Sequence, residues 1–279
     1  MKAYITLLST MDYLPGVITL AESLKQVKAV PPLIVGLSAC IPAQAEALLE
    51  SRSIRFLRLP ADSPLPPLPG QAHHHWTNTF DKIYFFGLTQ FKKLVYLDSD
   101  MIVLTNIDDL FEKPHMSAVA AGQLVHADWT RLNSGLMVIE PEAGLASRLA
   151  KMVQPAMQRA AQVGNAAIGD QDLINEFYKD WPTQAHLHLD DGYNVFHYHA
   201  DTYVKDHGYG LPKTGQPLNN PQLKPIHVLH FAGPVKPWTK RALAKHLLGS
   251  FKANASTWER KAFAMYRQLL SQSSRLSVS

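Results

Sequence analysis

The chain has 279 residues, long enough for one large α/β domain or one domain with a small appendage. A hydrophobic content of 46% supports a substantial core, and a single cysteine, Cys40, excludes an internal disulfide and fits a reducing compartment. The net charge of +4, with a pI near 9.0, is mild and interspersed with 23 acidic residues; it suits an anionic substrate or surface and gives no reason to invoke nucleic acid.

The apolar stretch near the N-terminus is short and broken by Asp12, unlike a signal peptide. No run of about 18 apolar residues occurs anywhere, so a cytoplasmic protein is expected. Ala3 to Ser9 reads as a buried strand, and Pro15 to Lys28 as a helix with proline in its first turn. Leu33 to Leu37 is a second apolar strand, Pro42 to Ser53 a helix, and Ile54 to Leu59 a third strand. This β-α-β-α-β start predicts a mostly parallel sheet flanked by helices. Pro60 to Pro69 holds five prolines and must be a loop, closed by His73, His74, His75 and Trp76. A helix is expected from Asn78 to Thr89, then the strand of Asp98, then a short turn or helix with Asn106 as its cap. Ser117 to Ala121 and Gly135 to Glu140 read as strands. Pro141 to Gln162 reads as a helix interrupted by Pro155, and Gly169 to Tyr178 as another. Ile226 to Phe231 is a last strand, and a basic helical tail runs from Trp238 to about Leu270. The division expected is a catalytic domain over 1–238 and a helical basic extension over 239–279.

Asp98 and Asp100 carry the first chemical signal. Residues i and i+2 of an extended chain point the same way, so two carboxylates can aim at one point beyond the strand. Two hard anionic oxygens there suit Mn2+ or Mg2+ and leave coordination positions open for phosphate oxygens. The alternative is a polar strand terminus, since aspartate favours turns and caps.

Several motifs then fall in one order: Ala3 to Thr10 with Tyr13, Asp81-Lys82-Ile83, Asp98-Ser99-Asp100, Leu132-Asn133-Ser134-Gly135, Gly169-Asp170-Gln171-Asp172, Gly192-Tyr193-Asn194, and His230-Phe231-Ala232-Gly233-Pro234-Val235-Lys236-Pro237-Trp238. Over roughly residues 3 to 240 the chain resembles glycosyltransferase family 8, which contains glycogenin, galactinol synthase and bacterial lipopolysaccharide glycosyltransferases. The resemblance implies a GT-A fold with a single mixed sheet, a UDP-glucose or UDP-galactose donor, Mn2+ dependence, and retention of anomeric configuration with an α-linked product.

It also implies roles. Leu7, Ser9, Thr10 and Tyr13 surround the uracil and ribose. Lys82 serves the phosphates or the donor sugar, and Asn133 and Ser134 line the donor site beside Gly135. Asp98, with Ser99, and Asp100 bind metal and donor. Asp170 takes the sugar hydroxyls, with Gln171 near the anomeric carbon. His230 ends an apolar strand, and an imidazole from a distant segment is the third ligand that two neighbouring carboxylates need. Gly233 and Lys236 bring backbone N–H groups and positive charge to the diphosphate.

The chain departs from the glycogenin pattern at Ala167, where that pattern has a carboxylate, and it lacks the acceptor-tyrosine segment. A separate acceptor is therefore expected: a glycan, a polyol, a lipid-linked sugar or a protein. The basic residues Lys240, Arg241, Lys245, Lys252, Arg260, Lys261 and Arg267 suit either peripheral contact with an anionic membrane or a solvated face. Two rivals remain: a sugar-phosphate nucleotidyltransferase, for which the Gly-rich loop after the first strand is missing, and a non-catalytic nucleotide-sugar binding protein.

Overall fold

The apolar run Lys2–Leu8 forms β1, and its side chains alternate between two cores, with Ala3, Ile5 and Leu7 on one face and Tyr4 on the other. A computed structural model of the protein describes residues 1–60, 78–162, 168–239 and 257–275. The next strands in the chain are β2 (Leu33–Leu37), β3 (Arg55–Arg58), β4 (Lys93–Leu97), β5 (Met101–Val103) and β6 (Leu136–Ile139). The central sheet runs β3-β2-β1-β4-β6, parallel except for the antiparallel pairing of β4 with β6. The parallel crossovers contain α1 (Leu14–Gln26), with Pro15 in its first turn, and α2 (Gln44–Glu50). The β-α-β-α-β start is as expected.

The strand expected at Asp98 stops just before it. β4 ends at Leu97, and Asp98-Ser99-Asp100 form a turn in which the Met101 N–H donates to the Asp98 carbonyl at 3.1 Å. The Asp98 N–H is meanwhile held by the Gly135 carbonyl at 2.8 Å. β5 leaves this turn to join a second sheet with β7 (Val195–Phe196) and β10 (Val228–His230), in the order β5-β10-β7. A short parallel pair, β8 (Tyr209–Gly210) with β9 (Lys224–Pro225), stands apart. The expected single sheet is thus a central five-stranded mixed sheet with a three-stranded one hinged to it at the aspartate turn.

Other expectations shift locally. Ser117 to Ala121 is not a strand; Ala118 alone bridges to Met137 and His188. Asn78–Gly87 coils as a 3-10 helix. α3 (Leu145–Gln162) runs through Pro155, because its inner face buries Leu149, Val153, Ala156 and Ala160 and outweighs one lost hydrogen bond. α4 (Asp170–Phe177) and α5 (Ala200–Asp206) follow. Trp238 lies in a turn rather than opening the tail helix. That helix, α6 (Thr257–Arg275), packs Ala262, Phe263, Tyr266 and Leu269 into the core that holds Ile102, Leu229 and Phe231. Arg260 and Lys261 on it are exposed. The His73 to Trp76 segment, Ala167, Lys240, Arg241, Lys245 and Lys252 lie outside the described residues. Among the described residues, no helix is long and apolar enough to cross a membrane.

Candidate active site

The hinge between the two sheets gathers the acidic motif. β10 pairs antiparallel with β5 so that His230 lies opposite Met101, and the Phe231 N–H donates to the Asp100 carbonyl at 2.9 Å. The His230 Nε2 stands 3.3 Å from Asp100 Oδ1 and 3.8 Å from Asp98 Oδ2. Ligand atoms of the three residues all lie within 4.8 Å of one another. Asp98 and Asp100 do converge, but through the turn rather than through strand alternation. The turn is pressed against α1, where a Cβ on Gly16 would fall 2.4 Å from the Ser99 carbonyl oxygen. Ser99 is itself buried.

A chain of amides decides which face His230 offers. The Gly135 N–H donates to Asn133 Oδ1 at 2.9 Å, which makes that atom the oxygen. Asn133 Nδ2 therefore donates to Gln171 Oε1 at 2.9 Å, and the same oxygen accepts the Ser134 N–H at 3.2 Å. Asn194 Nδ2 donates to Asn133 Oδ1 at 2.9 Å, so Asn194 Oδ1 must accept from His230 Nδ1–H at 3.0 Å. A neutral His230 then carries its proton on Nδ1 and turns a bare Nε2 lone pair toward two carboxylates. Three electron-rich atoms facing one another at these distances call for positive charge among them, supplied by a proton on Nε2 or by a bound cation. The donor set, two carboxylates and an imidazole, fits a divalent transition metal.

Lys82 lies beneath this group. It is 3% exposed, and its Nζ contacts Asp170 Oδ2 at 2.6 Å, Asp98 Oδ1 at 3.2 Å and the Ser134 carbonyl at 3.2 Å. It also sits 4.5 Å over the Tyr96 ring, whose hydroxyl donates to Asp98 Oδ1 at 2.6 Å. Burial pushes the Lys82 pKa down, but Asp170 and Asp98 more than offset it and the net shift is upward. Lys82 is thus a buried counter-ion locking Asp98 to Asp170. Asp170 Oδ2 also accepts from Ser134 Oγ at 2.8 Å, and Asp170 opens α4 as a helical residue, while Gly169 takes the cap position. Asp172 is exposed; it accepts the Gly169 N–H and pairs with Arg131 at 3.2 Å.

On the other side, Lys236 Nζ reaches Asp100 Oδ2 at 2.5 Å and the Phe231 carbonyl at 3.0 Å, 5.6 Å over the Tyr13 ring. Burial opposes ionisation of Asp100; with the His230 imidazole protonated, its charge and that of Lys236 hold the carboxyl well below the usual range. Gly233 starts this loop with φ +100°, where any other residue is strained. The loop docks on the turn that leads into α1: Trp238 Nε1–H donates to the Asp12 carbonyl at 2.8 Å and its ring meets Tyr13 edge-on at 5.6 Å. Ser9, Thr10 and Tyr13 are partly exposed at the end of β1. The Leu7 side chain is packed in the core, so this residue has only its backbone to offer a ligand.

Residues 122–242 match glycosyl transferase family 8. The chain is 28% identical over 247 residues to inositol phosphorylceramide glucuronosyltransferase 1 of Arabidopsis thaliana, covering 85% of this chain and 42% of that protein. It is 27% identical over 241 residues to glycogenin-1 of Mus musculus, covering 85% and 65%. The chain thus spans about half the length of these curated relatives. A crystal structure of the galactosyltransferase LgtC with donor and acceptor sugar analogues superimposes with a TM-score of 0.59 at 15% identity, covering 98% of this chain and 96% of that one. The fold is GT-A.

Two residues of this site carry no expectation from sequence. Asn194 follows Gly192-Tyr193 and reads as an ordinary turn residue until its partner, His230, is known. Tyr96 reads as a core strand residue, because its ring is core and only its hydroxyl reaches Asp98.

Proposed function

We propose that the chain is a metal-dependent, retaining hexosyltransferase that moves glucose or galactose from a UDP-sugar to a hydroxyl acceptor with α linkage. The observation that carries this reading is the bare Nε2 of His230 held against Asp98 and Asp100. Those three residues would hold Mn2+, which neutralises charge on the donor diphosphate as UDP departs. Lys236, on the loop that begins at Gly233, adds a second positive charge on the same side. Ser9, Thr10 and Tyr13 flank the space for the nucleoside, and Tyr13 offers a ring for the base.

Asn133 and Ser134 orient Gln171 through its oxygen, which leaves the Gln171 NH2 to donate toward the transferred sugar or its leaving oxygen. Inversion would require a general base to deprotonate the acceptor opposite the leaving group. Gln171 cannot serve, Asp98 and Asp100 face His230, and Asp170 Oδ2 is bound by Lys82 and Ser134. The carboxylates of this group are therefore committed elsewhere, which supports attack from the face that UDP leaves.

Two measurements test the reading. UDP release is screened over a panel of UDP-sugars with Mn2+, and the anomeric proton coupling of the product is read by NMR. A small, α-type coupling is expected. A large, β-type coupling would overturn retention, and no UDP release from any hexose donor would overturn the transferase reading.

A further inference from the structure

We propose that Trp129 and Tyr198 form the platform on which the acceptor sits, and that the acceptor presents a pyranose ring. This rests on the transferase reading above and names the substrate class that reading leaves open. Among the large apolar side chains exposed in the described residues, two are aromatic: Trp129 at 41% and Tyr198 at 42%. They are distant in sequence yet meet on one buried ring. Trp129 packs edge-on to Phe196 at 6.4 Å, and Tyr198 stacks on Phe196 at 5.4 Å with 10° between planes. Phe196 in turn lies 5.3 Å from His230. The two exposed rings are one side chain removed from the metal group.

The Trp129 ring is held in place. Gly122 adopts φ +90°, and a Cβ there would lie 2.7 Å from Trp129 Cε3, so glycine makes the seat. His126 stacks on the indole at 4.2 Å. An exposed indole fixed by a tailored glycine has already lost its rotamer freedom, which lowers the cost of ordering it around a ligand. It also stands where an acceptor must arrive. Trp129 precedes Asn133 by one short loop, and Asn133 holds Gln171. Between them Arg131 pairs with exposed Asp172, the neighbour of Gln171. Trp129 and an open ion pair thus lie on the segment that leads to Asn133 and Gln171.

The chemistry of these groups selects a sugar ring. A pyranose has an apolar face of C–H bonds and a periphery of hydroxyls. The face is removed from water on an aromatic ring, and the hydroxyls find Arg131 and Asp172. Two isolated rings set among histidines and charges offer too little continuous apolar surface for a protein partner. A lipid chain would need an unbroken apolar track.

The experiment is saturation-transfer NMR on the full chain with UDP and Mg2+. The probes are methyl α-D-glucopyranoside, methyl β-D-galactopyranoside, maltose and lactose, with myo-inositol and glycerol beside them. At least one pyranose probe should receive saturation on its ring C–H protons. That signal should fall at least about fivefold in Trp129→Ala and Tyr198→Ala and survive in Trp129→Phe. Saturation of no pyranose probe, of myo-inositol alone, or equally in wild type and both alanine variants overturns the proposal. Calorimetric titration of UDP with Mn2+ into the wild type separates the two levels: no UDP binding is a failure of the transferase reading, whereas UDP binding without a pyranose response is a failure of the platform.

Discussion

Asn194→Leu should weaken metal binding without touching a metal ligand. Asn194 is fully buried, and its oxygen is the acceptor for His230 Nδ1–H at 3.0 Å. Leucine fills a similar volume but offers no acceptor. The buried Nδ1–H is then orphaned, at a cost of about 1–3 kcal/mol to the folded state. The imidazole can recover part of this by shifting its proton to Nε2, the atom that faces Asp98 and Asp100. That tautomer cannot ligate through Nε2. Loss of such an orienting partner weakens metal binding by about 10–100-fold, which corresponds to about 1.4–2.7 kcal/mol and lies within the cost of the orphaned donor. Free Mn2+, followed by its electron paramagnetic resonance signal during titration with UDP present, measures the shift, and circular dichroism in urea reports the stability. Asn194→Asp keeps an acceptor for Nδ1–H and should regain most of the lost affinity. If the leucine variant folds and binds Mn2+ within about twofold of wild type, the tautomer argument is wrong.

Lys82→Met leaves Asp170 and Asp98 without their buried counter-ion and should destabilise the fold by about 3–5 kcal/mol in urea unfolding. A loss below about 1 kcal/mol would show that water replaces the ammonium. Lys236→Ala removes a charged donor and should weaken UDP binding by roughly 10–150-fold, since hydrogen bonds from charged groups contribute about 1.5–3 kcal/mol; unchanged affinity by calorimetry would remove Lys236 from the diphosphate site. His115 is half-buried, its Nδ1 accepts the Glu140 N–H at 3.0 Å, and its Nε2 lies 2.9 Å from the Tyr178 hydroxyl. Burial holds its pKa below the usual histidine value. A depressed folded-state value contributes stability that is present above the unfolded value of about 6.5 and is lost as pH falls through it. Wild type should therefore lose more stability between pH 7.5 and 5.5 than His115→Gln, and equal losses would refute the assignment.

The sequence alone determined the class of fold and most of the donor set. The runs at Ala3 to Ser9, Leu33 to Leu37 and Leu94 to Leu97 are apolar on both faces because a parallel sheet is covered on both sides, and such runs are visible without coordinates. The acidic pair, the Gly-Asp-Gln segment and the His-to-Trp segment were legible because their residue types carry chemistry of their own. The tertiary structure decided what joins them. Asp98 and Asp100 converge because a turn, held by the Gly135 carbonyl and pressed on Gly16, ends one sheet and founds the next; strand alternation along one chain could not foretell that. The resemblance places Lys82 beside the phosphates or the donor sugar; in the structure it is a buried counter-ion to Asp98 and Asp170, and Asp170 comes from a segment far along the chain. The protonated nitrogen of His230 is fixed by a relay through Asn194, Asn133, Gln171 and Gly135, residues drawn from three segments. Residue type and local period report which groups can act and which face of an element is buried; hydrogen-bond direction between distant segments exists only once those segments have met.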